Sequence, residues 1–205
     1  MVPHFAGASQ SSQLICTLVQ ISSIEKGSLV HEHTLTTLRA ALGNVDEATR
    51  RTVRQPRVAR KPPPAERDFI GWRDPSAPQR GYLFTEHTGE LTGIMLTTTR
   101  TRTNASRAVM CEFCRMPRRF EQVALFTAGS AQSKQQSTLG TYLCVDLDCN
   151  VRVNQLRPLT PLDPPADELV AQRRRELAER SAAFVTGVLS AVAASTRARS
   201  EAPRW

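Results

Sequence analysis

The 205 residues predict an α+β fold: a small antiparallel β-sheet, short helices before it and one long helix after it. Three observations carry that expectation. Short apolar runs separated by turn residues fill 69–155, an apolar stripe at helical spacing runs from Val170 to Val192, and four of the five cysteines fall into two close pairs between 111 and 149. The hydrophobic content of 40% and aromatic content of 5% suit a modest core.

Residues 1–33 are polar and Ser-rich without clear periodicity, so they read as disordered or as an extension of the domain that follows. Their apolar run from Leu14 to Ile24 has no basic residue before it and contains Gln20 and Ser22, which makes a poor secretory signal. No stretch approaches the roughly 18–20 uninterrupted apolar residues of a membrane span. A cytoplasmic protein without a membrane partner is therefore expected.

Residues 34–68 read as short helices followed by a basic, Pro-rich linker. Leu35, Leu38, Leu42 and Val45 are spaced for one helix face. Gly43-Asn44 interrupts them, and Asp46-Glu47 resembles the acidic first turn of a second helix ending near Arg54. Pro62-Pro63-Pro64 then supports a linker.

The span 69–155 is expected to be β-rich. Phe69 to Trp72 is strand-like and stops at Asp74-Pro75, while Gly81–Glu86 and Leu91–Thr97 flank Thr88-Gly89 as a hairpin would. Val123–Phe126 and Thr141–Leu143 read as two further strands, with the polar loop 129–138 between them. Residues 156–165, with Pro158, Pro161, Pro164 and Pro165, form a second linker. A helix over 166–195 would be about 45 Å long and would place Val170, Leu177, Phe184, Val188 and Val192 on one face. That face suits docking against the core or a partner. Residues 196–205 read as a disordered tail.

The net charge of +8 comes from 27 basic and 19 acidic residues, and only three of the basic residues are lysines. Arginine suits bidentate contacts to phosphates and carboxylates. Arg50, Arg51, Arg54, Arg57, Arg60 and Lys61 lie within twelve residues that hold no acid. They offer a footprint for RNA or an acidic protein surface, or simply a solvated linker.

The cysteines carry the most specific chemistry. Cys111 and Cys114 form a C-x2-C turn, and after 29 intervening residues Cys144 and Cys149 form a C-x4-C pair. Four thiolates at such spacings suit one tetrahedral structural zinc ion. Cys144 ends a strand, and Asp146 and Asp148 suit the cap and first turn of a helix that would begin at Cys149. A hairpin carrying one pair and a strand-to-helix junction carrying the other is treble-clef zinc-finger geometry. Four thiolates give the centre a formal charge of −2, which Arg115, Arg118 and Arg119 are placed to offset. Two disulfides would need an oxidising compartment; a redox-active C-x2-C would need a thioredoxin-like context; and the spacings match no ferredoxin run. Cys16 lies far off as a bystander. All four histidines precede Cys111, so none is needed as a ligand, and His31-Glu32-His33 reads as exposed polar surface.

Such a site is closed, leaving no position for water or substrate. No Ser-His-Asp set, glycine-rich phosphate loop or carboxylate pair has a fitting context elsewhere. The sequence therefore points away from an enzyme and nominates neither a catalytic residue nor a small-molecule substrate.

Phe69-Ile70-Gly71-Trp72-Arg73-Asp74-Pro75, Tyr82-Leu83, Cys111-x2-Cys114, Val123-x-Leu125-Phe126 and Gly140-Thr141-Tyr142-x-Cys144-x-Asp146-Leu147-x-Cys149 together resemble the FBP domain. That is the C-terminal treble-clef zinc-binding domain of elongation factor G-binding proteins, whose relatives include the fusidic-acid-resistance (FusB-type) proteins. The resemblance covers about residues 34–192 and is closest to short versions of the family. It implies a zinc ion on the two cysteine pairs, and a cytoplasmic factor whose zinc domain contacts elongation factor G and helps free it from the ribosome. The resistance proteins use a histidine in the second ligand pair, where this chain supplies Cys144 and Cys149, and they carry a larger N-terminal helical bundle. An RNA- or ribosome-binding module using the arginine-rich surface is the alternative.

Overall fold

The computed structural model describes residues 31–60, 63–87, 89–98, 108–129 and 138–200. Two short helices come first, α1 (Leu35–Ala41) and α2 (Glu47–Thr52). Each starts on a side-chain cap: Thr34 Oγ1 accepts from Thr37 N at 3.2 Å, and Asp46 Oδ1 accepts from Thr49 N at 2.8 Å. These bonds satisfy amide donors that a helix start leaves unpaired. The second helix ends two residues before Arg54.

The strands are β1 (Ile70–Arg73), β2 (Arg80–His87), β3 (Glu90–Thr98), β4 (Ala108–Met110), β5 (Pro117–Arg119), β6 (Val123–Ala128) and β7 (Leu139–Cys144). Five of them form one antiparallel sheet in the order β1-β2-β3-β6-β7, while β4 and β5 pair separately. The expected hairpin joins β2 to β3, closing at His87 opposite Glu90, and Gly89 supplies the positive φ of +81°. Helix α3 (Cys149–Val153) follows β7 directly.

Helix α4 runs over Ala166–Ser200, so residues 196–200 are helical where a disordered tail was expected. Among the described residues it is long and apolar enough, from Ala166 to Ala198, to cross a membrane by length and composition. Its inner stripe is nevertheless committed to this fold, since Leu177, Val185 and Val188 are buried in the core. Val185 extends the stripe read from the sequence, and Phe184 and Val192 pack at its margin.

Both faces of the sheet are covered, which explains why Tyr82 through Glu86 are buried without interruption. On one face Phe69, Leu83, Ile94, Leu96 and Phe126 meet α4 and the cysteine-bearing turns. On the other, Ile70, Trp72, Tyr82 and Phe84 meet Leu38, Leu42, Val45, Val53 and Ala59. The rings of Trp72 and Phe84 stack there at 5.3 Å. The stretch expected to be a linker is thus partly a packed layer. Arg39 holds the Val53 carbonyl from Nε and Nη2 at 3.1 and 2.7 Å, and Trp72 Nε1 donates to the Arg54 carbonyl at 2.9 Å. Asn44 pairs with the Met95 backbone in both directions, at 2.8 and 2.9 Å. Val53 and Ala59 show no helical period in the sequence because they reach the sheet from a helix end and a single 3-10 turn.

Candidate metal centre

The first cysteine pair sits in the turn between β4 and β5. Arg115 N donates to the Cys111 carbonyl at 2.9 Å, and Arg115 itself adopts φ +54°, which reverses the chain immediately after Cys114. Phe113, inside the turn, packs edge-on against Phe69 and Phe184, with both ring centroids 5.9 Å away. The turn is also bound to the main sheet, since Glu112 N donates to the Tyr142 carbonyl at 2.8 Å.

The second pair lies where the sequence placed it. Cys144 ends β7, Leu147 N closes a turn onto the Cys144 carbonyl at 2.9 Å, and Cys149 is the first residue of α3. Asp148 occupies the cap position, but its side chain does not cap. Its Oδ2 instead takes Arg152 Nε at 2.8 Å and lies 3.6 Å from Arg118 Nη1.

All four sulfurs are buried and lie within 4.8 Å of one another. Cys111 and Cys149 are 3.6 Å apart at Sγ, and Cys114 and Cys144 are 3.7 Å apart. A tetrahedron of sulfurs with a Zn–S distance of 2.3 Å has an edge of about 3.8 Å. The donor set is soft and spaced for zinc, so the four cysteines form a single structural zinc site. Without a cation the thiols cannot ionise together. Hydrogen bonds from the Cys114, Cys144 and Cys149 thiols push Cys111 far down, whereas bonding to Cys111 and Cys114 pushes Cys144 up. A dication removes that conflict by stabilising all four thiolates at once.

Of the three arginines expected to offset the thiolates, Arg118 reaches them. Its side chain is only 10% exposed, Nη1 lies 3.8 Å from Cys144 Sγ and Nε donates to Gln122 Oε1 at 3.1 Å. Arg115 turns outward to Glu112 at 3.0 Å, and Arg119 is exposed. The alternation of side chains along β5 accounts for Arg118 and Arg119 diverging. In the basic stretch, Arg51 lies 3.2 Å from Glu47, and Arg50 lies 3.8 Å from the same carboxylate. Arg54 and Arg57 are exposed. Lys61 and the side chain of Arg60 lie outside the described residues, as does Cys16.

Several residues that hold this site in place carried no local signal. Asn150 is buried, accepts from Asp68 N and donates to the Phe69 carbonyl, both at 2.8 Å, so α3 is fixed to the start of β1. Arg174 grips Asp68 from α4 with Nη2 at 3.0 Å. Burial raises the Asp68 carboxyl above its ordinary value, and Arg174 opposes that rise. His31 is exposed, as expected, whereas His33 is half-buried. Both rings bond the buried Glu86 carboxylate, at 2.7 and 3.1 Å, across more than 50 residues of sequence.

The model of the FBP C-terminal treble-clef zinc-finger family matches residues 37–188, and the chain belongs to that family. The match spans both cysteine pairs, the five-stranded sheet and most of α4. No curated protein and no solved structure matches the chain.

Proposed function

We propose that this member of the FBP C-terminal treble-clef zinc-finger family is a non-catalytic, cytoplasmic adaptor that binds elongation factor G and modulates its release from the ribosome. The observation that carries the reading is the closed centre. Cys111, Cys114, Cys144 and Cys149 are all buried, and they fill the tetrahedron with protein sulfur. A metal so enclosed stabilises a shape and offers no coordination position to a substrate, so the product of the fold is a surface. Membership of the FBP family supports elongation factor G as the partner, in line with the resemblance of the sequence to the zinc-binding domain of elongation factor G-binding proteins.

The test is a pull-down of purified elongation factor G by the zinc-loaded chain in moderate salt. Retention that disappears on zinc removal is expected. No retention with correctly folded, zinc-loaded protein would refute the partner while leaving the metal centre intact.

A second reading rests on the exposure of Arg51, Arg54, Arg57 and Arg119. These residues, with Arg60 and Lys61, would contact ribosomal RNA phosphates. That reading requires affinity for RNA that falls steeply between about 50 and 200 mM salt. Salt-insensitive or absent RNA binding would dismiss it.

A further inference from the structure

Among the described residues, Arg67 is a buried cation with no hydrogen-bonded anion. Only 3% of its surface is exposed, and its Nε and Nη2 atoms are shut off from solvent with no hydrogen-bond partner. Glu32 acts on it through space, and burial alone disfavours its charge. An unpaired buried guanidinium N–H is expensive to maintain, because the water it gave up is not replaced. Arg67 is therefore a poor choice for stability. It is a good choice for a site that awaits a ligand.

The two unsatisfied atoms identify the chemistry. Nε and Nη2 lie on one edge of the guanidinium, and that edge matches the two oxygens of a carboxylate. A nearby pair shows the same match already made. Arg174 places Nη2 on Asp68 Oδ1 at 3.0 Å and Nε across Oδ1 and Oδ2 at 3.2 and 3.3 Å.

Arg67 stands between two cavities. One, of about 290 Å³, is bordered by Glu32, His33 and Gln55. The other, of about 390 Å³, lies between β1 and the Cys144–Cys149 segment, with Phe69, Trp72, Leu147 and Val151 in its walls. The larger volume falls in the range of small-ligand pockets, which are mainly apolar with a few fixed polar groups. Asp146 and Asp148 also border it. Arg73 borders it as well, so two arginines face two aspartates, a balance that admits a monoanion more readily than a dianion such as phosphate.

We propose that the larger cavity binds a small organic carboxylate, its anionic end on the Nε/Nη2 edge of Arg67 and its apolar body against Trp72 and Leu147. Binding there requires the outer torsions of Arg67 to turn this buried edge toward the cavity. Because Leu147 lies between two cysteines of the metal centre, zinc holds one wall of the pocket.

The zinc-loaded full chain is titrated with benzoate, benzamide and inorganic phosphate while the arginine Nε–H resonances are followed by NMR. The Arg67 resonance, assigned by its loss in Arg67→Lys, moves saturably with benzoate and not with benzamide, and phosphate binds at least tenfold more weakly. Arg67→Lys keeps the charge but loses the fork, and weakens benzoate at least tenfold. Arg67→Met abolishes binding and leaves Tm unchanged or higher. Equal responses to benzoate and benzamide, equal affinity for phosphate, or no response of Arg67 would overturn the proposal. So would a lower Tm in both Arg67→Met and Glu32→Gln, which would make Glu32 the structural partner of Arg67. If Arg67→Met fails to fold, the three wild-type titrations decide alone.

Discussion

Arg180 Nε donates to the carbonyl oxygen of Phe113 at 2.8 Å, tying the long C-terminal helix to the turn that carries Cys111 and Cys114. The bond spans 67 residues and makes α4 part of the support of the metal centre. Groups that orient a ligand-bearing turn tune metal affinity without touching the metal. Arg180→Met should weaken zinc by about tenfold, the low end of such effects. Chelator competition measures this, and unchanged circular dichroism would show that the fold persists.

Metal removal should have a larger consequence. Cys111, Cys114, Cys144 and Cys149 join two short strands, an edge strand and a five-residue helix. Zinc binding energy and folding energy are one quantity in such sites. The loaded chain should hold about one zinc ion, and Cys→Ser at any of the four should release it and unfold residues 110–155. Elemental analysis with thiol-reactivity measurements checks both. A native chain with less than about one zinc and freely reactive thiols would contradict the site.

Asn150 links α3 to β1 through two buried hydrogen bonds of 2.8 Å. Asn150→Ala would leave Asp68 N and the Phe69 carbonyl without partners. At roughly 1–3 kcal/mol for each unsatisfied buried group, the substitution should cost about 2–6 kcal/mol in urea unfolding. An effect below about 0.5 kcal/mol would mean that water replaces the amide.

Gly93 is required by packing. A Cβ there would lie 2.5 Å from Phe84 Cε1. Phe84 is fully buried and stacked on Trp72, so the ring has no room to retreat. Gly93→Ala should destabilise by about 1–3 kcal/mol, as overpacking does, whereas alanine at Gly140, with its nearest atom 3.3 Å away, should cost less. Paired denaturation curves test the ranking.

Glu86 gives the fold a defined acid sensitivity. Burial pushes its carboxyl up, but bonds from the His31 amide and the His33 and His31 rings outweigh that and hold it below its ordinary value. A depressed carboxylate contributes stability that is complete above its unfolded pKa, near 4.3, and is lost as pH falls through the lower folded value. The stability gap between wild type and Glu86→Gln should therefore be full at pH 7 and shrink below about pH 4.3. Both proteins share the zinc site, so proton uptake by the cysteines cancels in the difference.

The metal centre was legible because its information is local. A C-x2-C turn, a strand ending in Cys144 and a helix starting at Cys149 are each set by neighbours a few residues apart. The hairpin around Gly89 and the stripe of α4 were readable for the same reason. The layer formed by Val53 and Ala59 was less so, because proline and arginine dominate that stretch and its apolar residues follow no period. Arg118, Arg115 and Arg119 looked equivalent in sequence; strand alternation separated Arg118 from Arg119, and the turn at Arg115 directed it to Glu112.

By itself, then, the sequence determined the class of fold, the ligand types of the metal centre and the family. Periodicity and short spacings report directly on local backbone geometry. Only the tertiary structure decided which side chains serve the site from afar: Arg180 on Phe113, Asn150 on Phe69, the two histidines on Glu86, and Arg67 left unpaired beside a cavity. A buried polar group is satisfied by whatever the chain's closure brings within about 3 Å. That closure joins residues as far apart as Asp68 and Arg174, 106 positions away, a distance over which spacing carries no record of contact.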